Sequence, residues 1–134
     1  MVEVVNRQRR LKLDTEAWSN FAARALDAIG KSESSATIAF VSDKRILALN
    51  RQFRGVDKAT DVLSFPAEEE FSLGDVAVSV DTAGVQAKEN GLTLEDEIAQ
   101  LILHGLLHLC GYDHETDNGE MNRLELKLRR RLGV

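Results

Sequence analysis

The chain is short of several things that would each have pointed to a class of protein. It has one cysteine, Cys110, in 134 residues, so no internal disulfide is available and a reducing compartment is the expectation. It has one proline, Pro66, and aromatic residues make up 5% of the chain. No apolar run is long enough to span a membrane. The opening MVEVVNRQRRLKL is charged where a secretory signal needs an apolar stretch, and it is read as not being a targeting segment. The expected location is the cytoplasm, with no membrane partner and no DNA. Nor is there an excess of basic residues. The formal net charge is −5, whereas nucleic-acid-binding domains are usually basic.

What is present is ordinary for a globular domain: 43% hydrophobic and 29% charged residues. The length predicts one domain over residues 1–134, large enough to bury a core unaided. Charge is uneven. Arg7, Arg9, Arg10 and Lys12 cluster near one end, and Arg123, Lys127, Arg129, Arg130 and Arg131 near the other. Acidic groups gather at Glu68–Glu70 and Glu95–Glu97. Such clusters are most often solvated faces, so charge alone neither supports nor excludes RNA.

The patterning predicts strands interleaved with helices. Val2–Val5 reads as a strand. The segment from Asp14-Thr15 to Gly30 reads as a helix, with Trp18, Phe21, Ala22, Leu26 and Ile29 at helical spacing and Gly30 as its stop. A loop over Lys31–Ser35 leads to a strand over Ala36–Val41. Ser42 then caps a helix over Asp43–Phe53. Thr60–Phe65 is expected to be a strand stopped by Pro66, followed by an acidic loop over Ala67–Phe71. Gly74–Val80 alternates as a half-buried strand should. Asp81 or Thr82 is expected to cap a short helix ending near Gly91. Thr93 with Asp96 resembles a capping box opening a helix to about Cys110, and a last helix is expected from about Thr116 to Leu132. The fold class is therefore α/β (or α+β), a small mixed sheet packed with helices.

All three histidines lie in the stretch His104-Gly105-Leu106-Leu107-His108-Leu109-Cys110-Gly111-Tyr112-Asp113-His114. Random placement would put three residues in so short a window on the order of two times in a hundred. His104 and His108 are spaced i, i+4 and share one helix face, roughly 6 Å apart along the axis. Gly111 after the apolar helix suits a left-handed cap that turns the chain back, so that His114 can join as a third ligand. Three imidazoles leave a position for water, as in catalytic zinc sites. One transition-metal ion is expected, zinc first, with nickel or ferrous iron as alternatives. The bland alternative, surface histidines with no shared task, fits a lone His pair better than it fits three. Cys110 could be proposed as a ligand, but its apolar context reads as a core thiol. Zinc peptidases of this layout carry a glutamate next to the first histidine as general base; here that position is Gly105. Peptide hydrolysis is disfavoured accordingly.

At these residues the chain resembles the YbeY family of bacterial rRNA maturation factors. The spacing HGxLHLxGYDH, His104 to His114, is the family's signature. A second match runs from Asn50 to Pro66, a third is Leu73-Gly74-Asp75-Val76 with Ser79, and a fourth is Asp117, Met121 and Glu125. Together they cover the chain from about residue 36 onward. The resemblance implies a zincin-like metal hydrolase fold with the three histidines as ligands. It also implies a metal-dependent, single-strand-specific endoribonuclease that matures small-subunit ribosomal RNA and acts in ribosome quality control. The implied partners are ribosomal RNA, the small subunit and assembly factors. Arg54 matches the family's functional arginine, while Ala59 stands where the family commonly has proline.

Physics assigns further roles. Arg54 has the planar fork that grips two phosphate oxygens, although alone it would read as a surface arginine. Asp113 is a candidate to orient a histidine or act as a base, against a plain turn-capping role. Met121 reads as a floor beneath the metal or as helix core. Asp61, Ser64 and Asp75 sit at expected strand ends, and Tyr112 is a candidate to stack on a base. Two other readings remain open at this point: a hydrolase acting on another substrate at the same metal, and a non-catalytic ribosome assembly factor with a structural metal.

Overall fold

The computed structural model describes residues 1–113 and 115–134. In chain order the elements are β1 (Val2–Asn6), α1 (Thr15–Ile29), β2 (Ser35–Val41), α2 (Asp43–Arg54), β3 (Val62–Glu69), β4 (Ser72–Ser79), α3 (Val80–Asn90), α4 (Leu94–Leu109) and α5 (Glu120–Leu132). Local capping sets many of these ends. The side chains of Asp14, Ser42 and Thr93 accept hydrogen bonds from the amides of Ala17, Arg45 and Asp96, which start α1, α2 and α4. Gly30, Gly55 and Gly91 close α1, α2 and α3 in the left-handed conformation.

The sheet order is β1-β2-β4-β3, with β1, β2 and β4 parallel and β3 antiparallel to β4 at an edge. One face carries Val4, Ile38, Phe40, Val76 and Val78, and the main core is built there with α1, α3, α4 and α5. On the other face Val41, Leu63 and Ala77 pack on Ile46 of α2 in a smaller cluster. The α/β expectation with a small mixed sheet holds. α4 lies at the centre, with Ile98, Ile102, Leu103, Leu106 and Leu107 at 1% exposure or less. Burial of each contributes roughly 1.5–3 kcal/mol.

Several expectations need correcting. β3 does not stop at Pro66 but runs to Glu69, so the start of the expected acidic loop is strand. Pro66 is tolerated because β3 is an edge strand, where a missing N–H breaks no central ladder. Its partner is Gly74, with φ 124°, and a Cβ there would lie 2.1 Å from the Phe65 carbonyl oxygen, so only glycine fits. Glu70 and Phe71 make the turn, Phe71 taking φ 64° where no glycine or asparagine advertised it. β4 is buried on both faces, not half-buried, because α2 covers the side on which Ala77 points. Ser79, not Asp81 or Thr82, caps α3, which starts at Val80. α5 starts at Glu120, four residues later than expected. Gly119 is left-handed, and the Asp117 carboxylate collects the amides of Gly119 and Met121 instead.

Candidate active site

His104 and His108 are half-buried positions on an otherwise buried stretch of α4, Leu101 to Leu109. They project into a cleft of about 580 Å³ between the end of α4 and β3. How α4 sits on the sheet decides where they point. Gly105 is pressed against β4, and a Cβ on it would come within 2.7 Å of Val76 Cγ1 and 3.3 Å of Ser64 Oγ. The Ser64 hydroxyl in turn donates to the Gly105 carbonyl oxygen at 3.0 Å, tying α4 to β3 beside the histidines. The position at which a zinc peptidase carries its glutamate is therefore a packing contact, with no room for any side chain.

Each histidine is held through Nδ1. In His108 that nitrogen lies 2.9 Å from the Tyr112 carbonyl oxygen, and in His104 it lies 2.6 Å from Glu125 Oε1. Both partners are acceptors, so both Nδ1 atoms carry hydrogen and donate. The Nε2 atoms then face one another, 3.0 Å apart, with the rings at 79°. Two neutral imidazoles would present lone pairs to each other there, an arrangement that a shared cation turns from repulsive to attractive. Two nitrogens each about 2.0–2.1 Å from a tetrahedral ion lie about 3.3 Å apart, close to the spacing seen. The donor set thus fits a transition metal.

Glu125 was quoted above only as part of a motif, yet it is the residue that aims His104. It is 7% exposed, and its second oxygen accepts from Arg129 Nη2 at 2.8 Å. Burial pushes its carboxyl upward. The hydrogen bond that His104 donates, with the nearby guanidinium of Arg129, outweighs that and leaves it below the ordinary value. The i, i+4 spacing of Glu125 and Arg129 was visible in the sequence, but the approach of α5 to His104 was not.

The other expected residues sort as follows. Arg54, the last residue of α2, lines the same cleft as the two histidines. Asp113 lines it as well, and its Oδ1 accepts the Glu115 amide, which is a turn-capping bond. Tyr112 and Asp61 line the cleft, Asp61 also accepting from the Val62 amide. His114 lies outside the described residues, and among those described there is no group of three metal-ligating side chains. Asp75 is exposed on the opposite face of the sheet and does not join. Met121, 1% exposed, belongs to the main core and does not line the cleft. Cys110 is half-buried rather than a core thiol, and burial pushes it up although nearby Lys31 acts the other way.

Comparison with known proteins bears on this arrangement directly. The family profile described as Endoribonuclease YbeY matches residues 3–133. Among relatives, an Endoribonuclease YbeY of Nautilia profundicola is 54% identical over 69% of this chain and 68% of its own length. One from Koribacter versatilis is 43% identical over 96% of this chain and 84% of its own. A solution structure from Thermotoga maritima shares the fold with a TM-score of 0.71 at 30% identity, covering 98% of this chain and 89% of that one. The chain belongs to the Endoribonuclease YbeY family.

Proposed function

We propose that this chain is a metal-dependent endoribonuclease that cuts single-stranded RNA, with the RNA of the small ribosomal subunit as its substrate. Membership of the family supports the activity. The observation that carries the site is the pair of imidazoles with Nε2 atoms 3.0 Å apart in a cleft that Arg54 also lines. In this reading His104, His108 and His114 hold one transition-metal ion, zinc first, with nickel or ferrous iron as alternatives. When bound, the ion would supply a water of lowered pKa and positive charge toward the phosphoryl oxygens.

The chain's own residues do the rest. Glu125 and the Tyr112 carbonyl keep hydrogen on Nδ1 of His104 and His108, so that Nε2 is the nitrogen that ligates. Arg54 binds the phosphate through its guanidinium fork and offsets charge that develops on the phosphoryl oxygens. Asp113, whose Oδ1 accepts the Glu115 amide, is assigned to orient a histidine or accept a proton. Gly105 speaks against peptide hydrolysis, since a glutamate cannot be housed there. Residues 1–134 would form one hydrolase domain, working in the cytoplasm with ribosomal partners. No helix among the described residues is long and apolar enough to cross a membrane.

The test is metal content by mass spectrometry on the native protein and on His114→Ala, with cleavage of a single-stranded RNA assayed on both. Near-stoichiometric metal lost together with cleavage in the variant is the expected result. Full metal without RNA cleavage in the native protein would shift the reading to another substrate or to an assembly role. Native protein without metal, isolated in the absence of chelators, would overturn the site.

A further inference from the structure

The sheet face opposite the main core is covered by α2 over Leu63 and Ala77, while Val5, Thr37 and Ala39 on the same face line an open groove. That groove, about 870 Å³, runs beside α2 and carries Arg7, Arg45, Phe53 and Phe65. Arg7 and Arg45 are exposed, Phe53 is 59% exposed, and Phe53 meets Phe65 edge to face at 5.2 Å between ring centres. The one carboxylate lining the groove is Asp75, so cations outnumber it in a protein whose net charge is −5. The histidine cleft has the reverse balance: Arg54 faces Asp61, Asp113 and Glu115 among the described lining residues.

The linings of the two cavities adjoin along the chain. Phe53 lines the groove and the next residue, Arg54, lines the cleft, both at the end of α2. β3 contributes to both, Phe65 lining the groove and Val62, Leu63, Ser64 and Pro66 lining the cleft. β3 is the edge strand, so residues of this one strand line both the groove and the histidine cleft.

We infer that this groove is a binding track for the part of a single-stranded RNA that flanks the cut, with phosphates against Arg7 and Arg45 and a base against Phe53. The inference rests on the endoribonuclease reading above and extends it. Beside the proposed metal, Arg54 is the one Arg or Lys among the described residues that line the cleft, too little to track a polyanion beyond the cut, and single-strand binders combine a basic path with exposed aromatic side chains. Here the two kinds of group share one cavity, and the track leads from Arg45 along α2 to Phe53, eight residues or about 12 Å of helix, with Arg54 of the cleft next in the chain.

The experiment uses anisotropy titration of a labelled single-stranded RNA of about 16 nucleotides, and cleavage of one of about 4 nucleotides that fills only the cleft. It compares the native protein, Arg7→Ala/Arg45→Ala, Phe53→Ala, and a control in the exposed cluster on α5, Arg130→Ala/Arg131→Ala. The groove pair should weaken binding of the longer RNA about tenfold or more and lower the slope of log affinity against log salt by about 1.4, at about 0.7 per phosphate contact. Phe53→Ala should weaken it roughly 5- to 100-fold, the range for one base on one ring. Metal content and cleavage of the short RNA should not change, and the control pair should bind as native. If native protein binds the longer RNA but the groove variants match it, the inference is overturned and the face is left to a protein partner. Equal losses in groove and control variants would also overturn it, as unspecific charge. A native protein that binds no single-stranded RNA would sink the functional reading and this inference with it.

Discussion

Replacing Glu125 by glutamine should cost the protein its metal affinity while leaving its shape intact. Glu125 takes one hydrogen from His104 Nδ1 at 2.6 Å and one from Arg129 at 2.8 Å, so both of its oxygens must accept. Glutamine offers one acceptor and one donor, and neither orientation suits. With its oxygen toward Arg129, its amide forces the His104 hydrogen from Nδ1 to Nε2 and removes the lone pair needed for ligation. With its oxygen toward His104, its amide opposes a guanidinium whose Nε is already buried without a hydrogen-bond partner among the described residues. Loss of such an outer partner lowers metal affinity about 10- to 100-fold, about 1.4–2.7 kcal/mol. Zinc competition against a chromophoric chelator near neutral pH reads the affinity. Nitrogen-15 shifts of the metal-free protein read which nitrogen of His104 holds the hydrogen, and circular dichroism checks the fold. Unchanged affinity with the hydrogen still on Nδ1 would refute the reasoning.

Gly105→Ala should destabilise the fold by about 1–3 kcal/mol through overpacking against Val76, read by thermal or denaturant unfolding, and the further change Val76→Ala should recover part of it. A neutral effect of Gly105→Ala would mean that α4 is free to move off the sheet. Asp81 gives a pH dependence. Its carboxyl lies below its ordinary value of 3.8 mainly through the hydrogen bond from the Asp43 amide, with Arg10 assisting against the opposing effect of burial. A depressed native pKa stabilises above the ordinary value, and that stabilisation fades as pH falls through the native one. Asp81→Asn should therefore be less stable than native at neutral pH, with the gap in melting temperature closing below about pH 4. A gap that persists at low pH would show that the aspartate acts through shape and not charge.

Much of the secondary structure was legible because capping is local chemistry. Asp14, Ser42 and Thr93 each act on the amide three residues on, and a helix beginning there needs nothing from the rest of the chain. The same holds for the i, i+4 histidines, whose shared face follows from helix geometry alone. Where the reading failed, a distant partner had overridden a local rule. Pro66 stays in its strand because that strand lies at the sheet edge opposite Gly74, and Phe71 takes a left-handed turn because the hairpin closes there. Ser79 caps α3 while its hydroxyl donates to Asp43, a residue thirty-six positions earlier.

The sequence by itself determined the element types, most helix starts, the shared helix face of His104 and His108 and the absence of the peptidase glutamate. Each depends on residues close together along the chain. Only the tertiary structure decided the sheet order, the burial of β4 on both faces, the steric reason for Gly105 and the grip of Glu125 on His104. These are contacts between segments far apart in sequence, and the pattern along one segment carries no record of which other segment will lie against it.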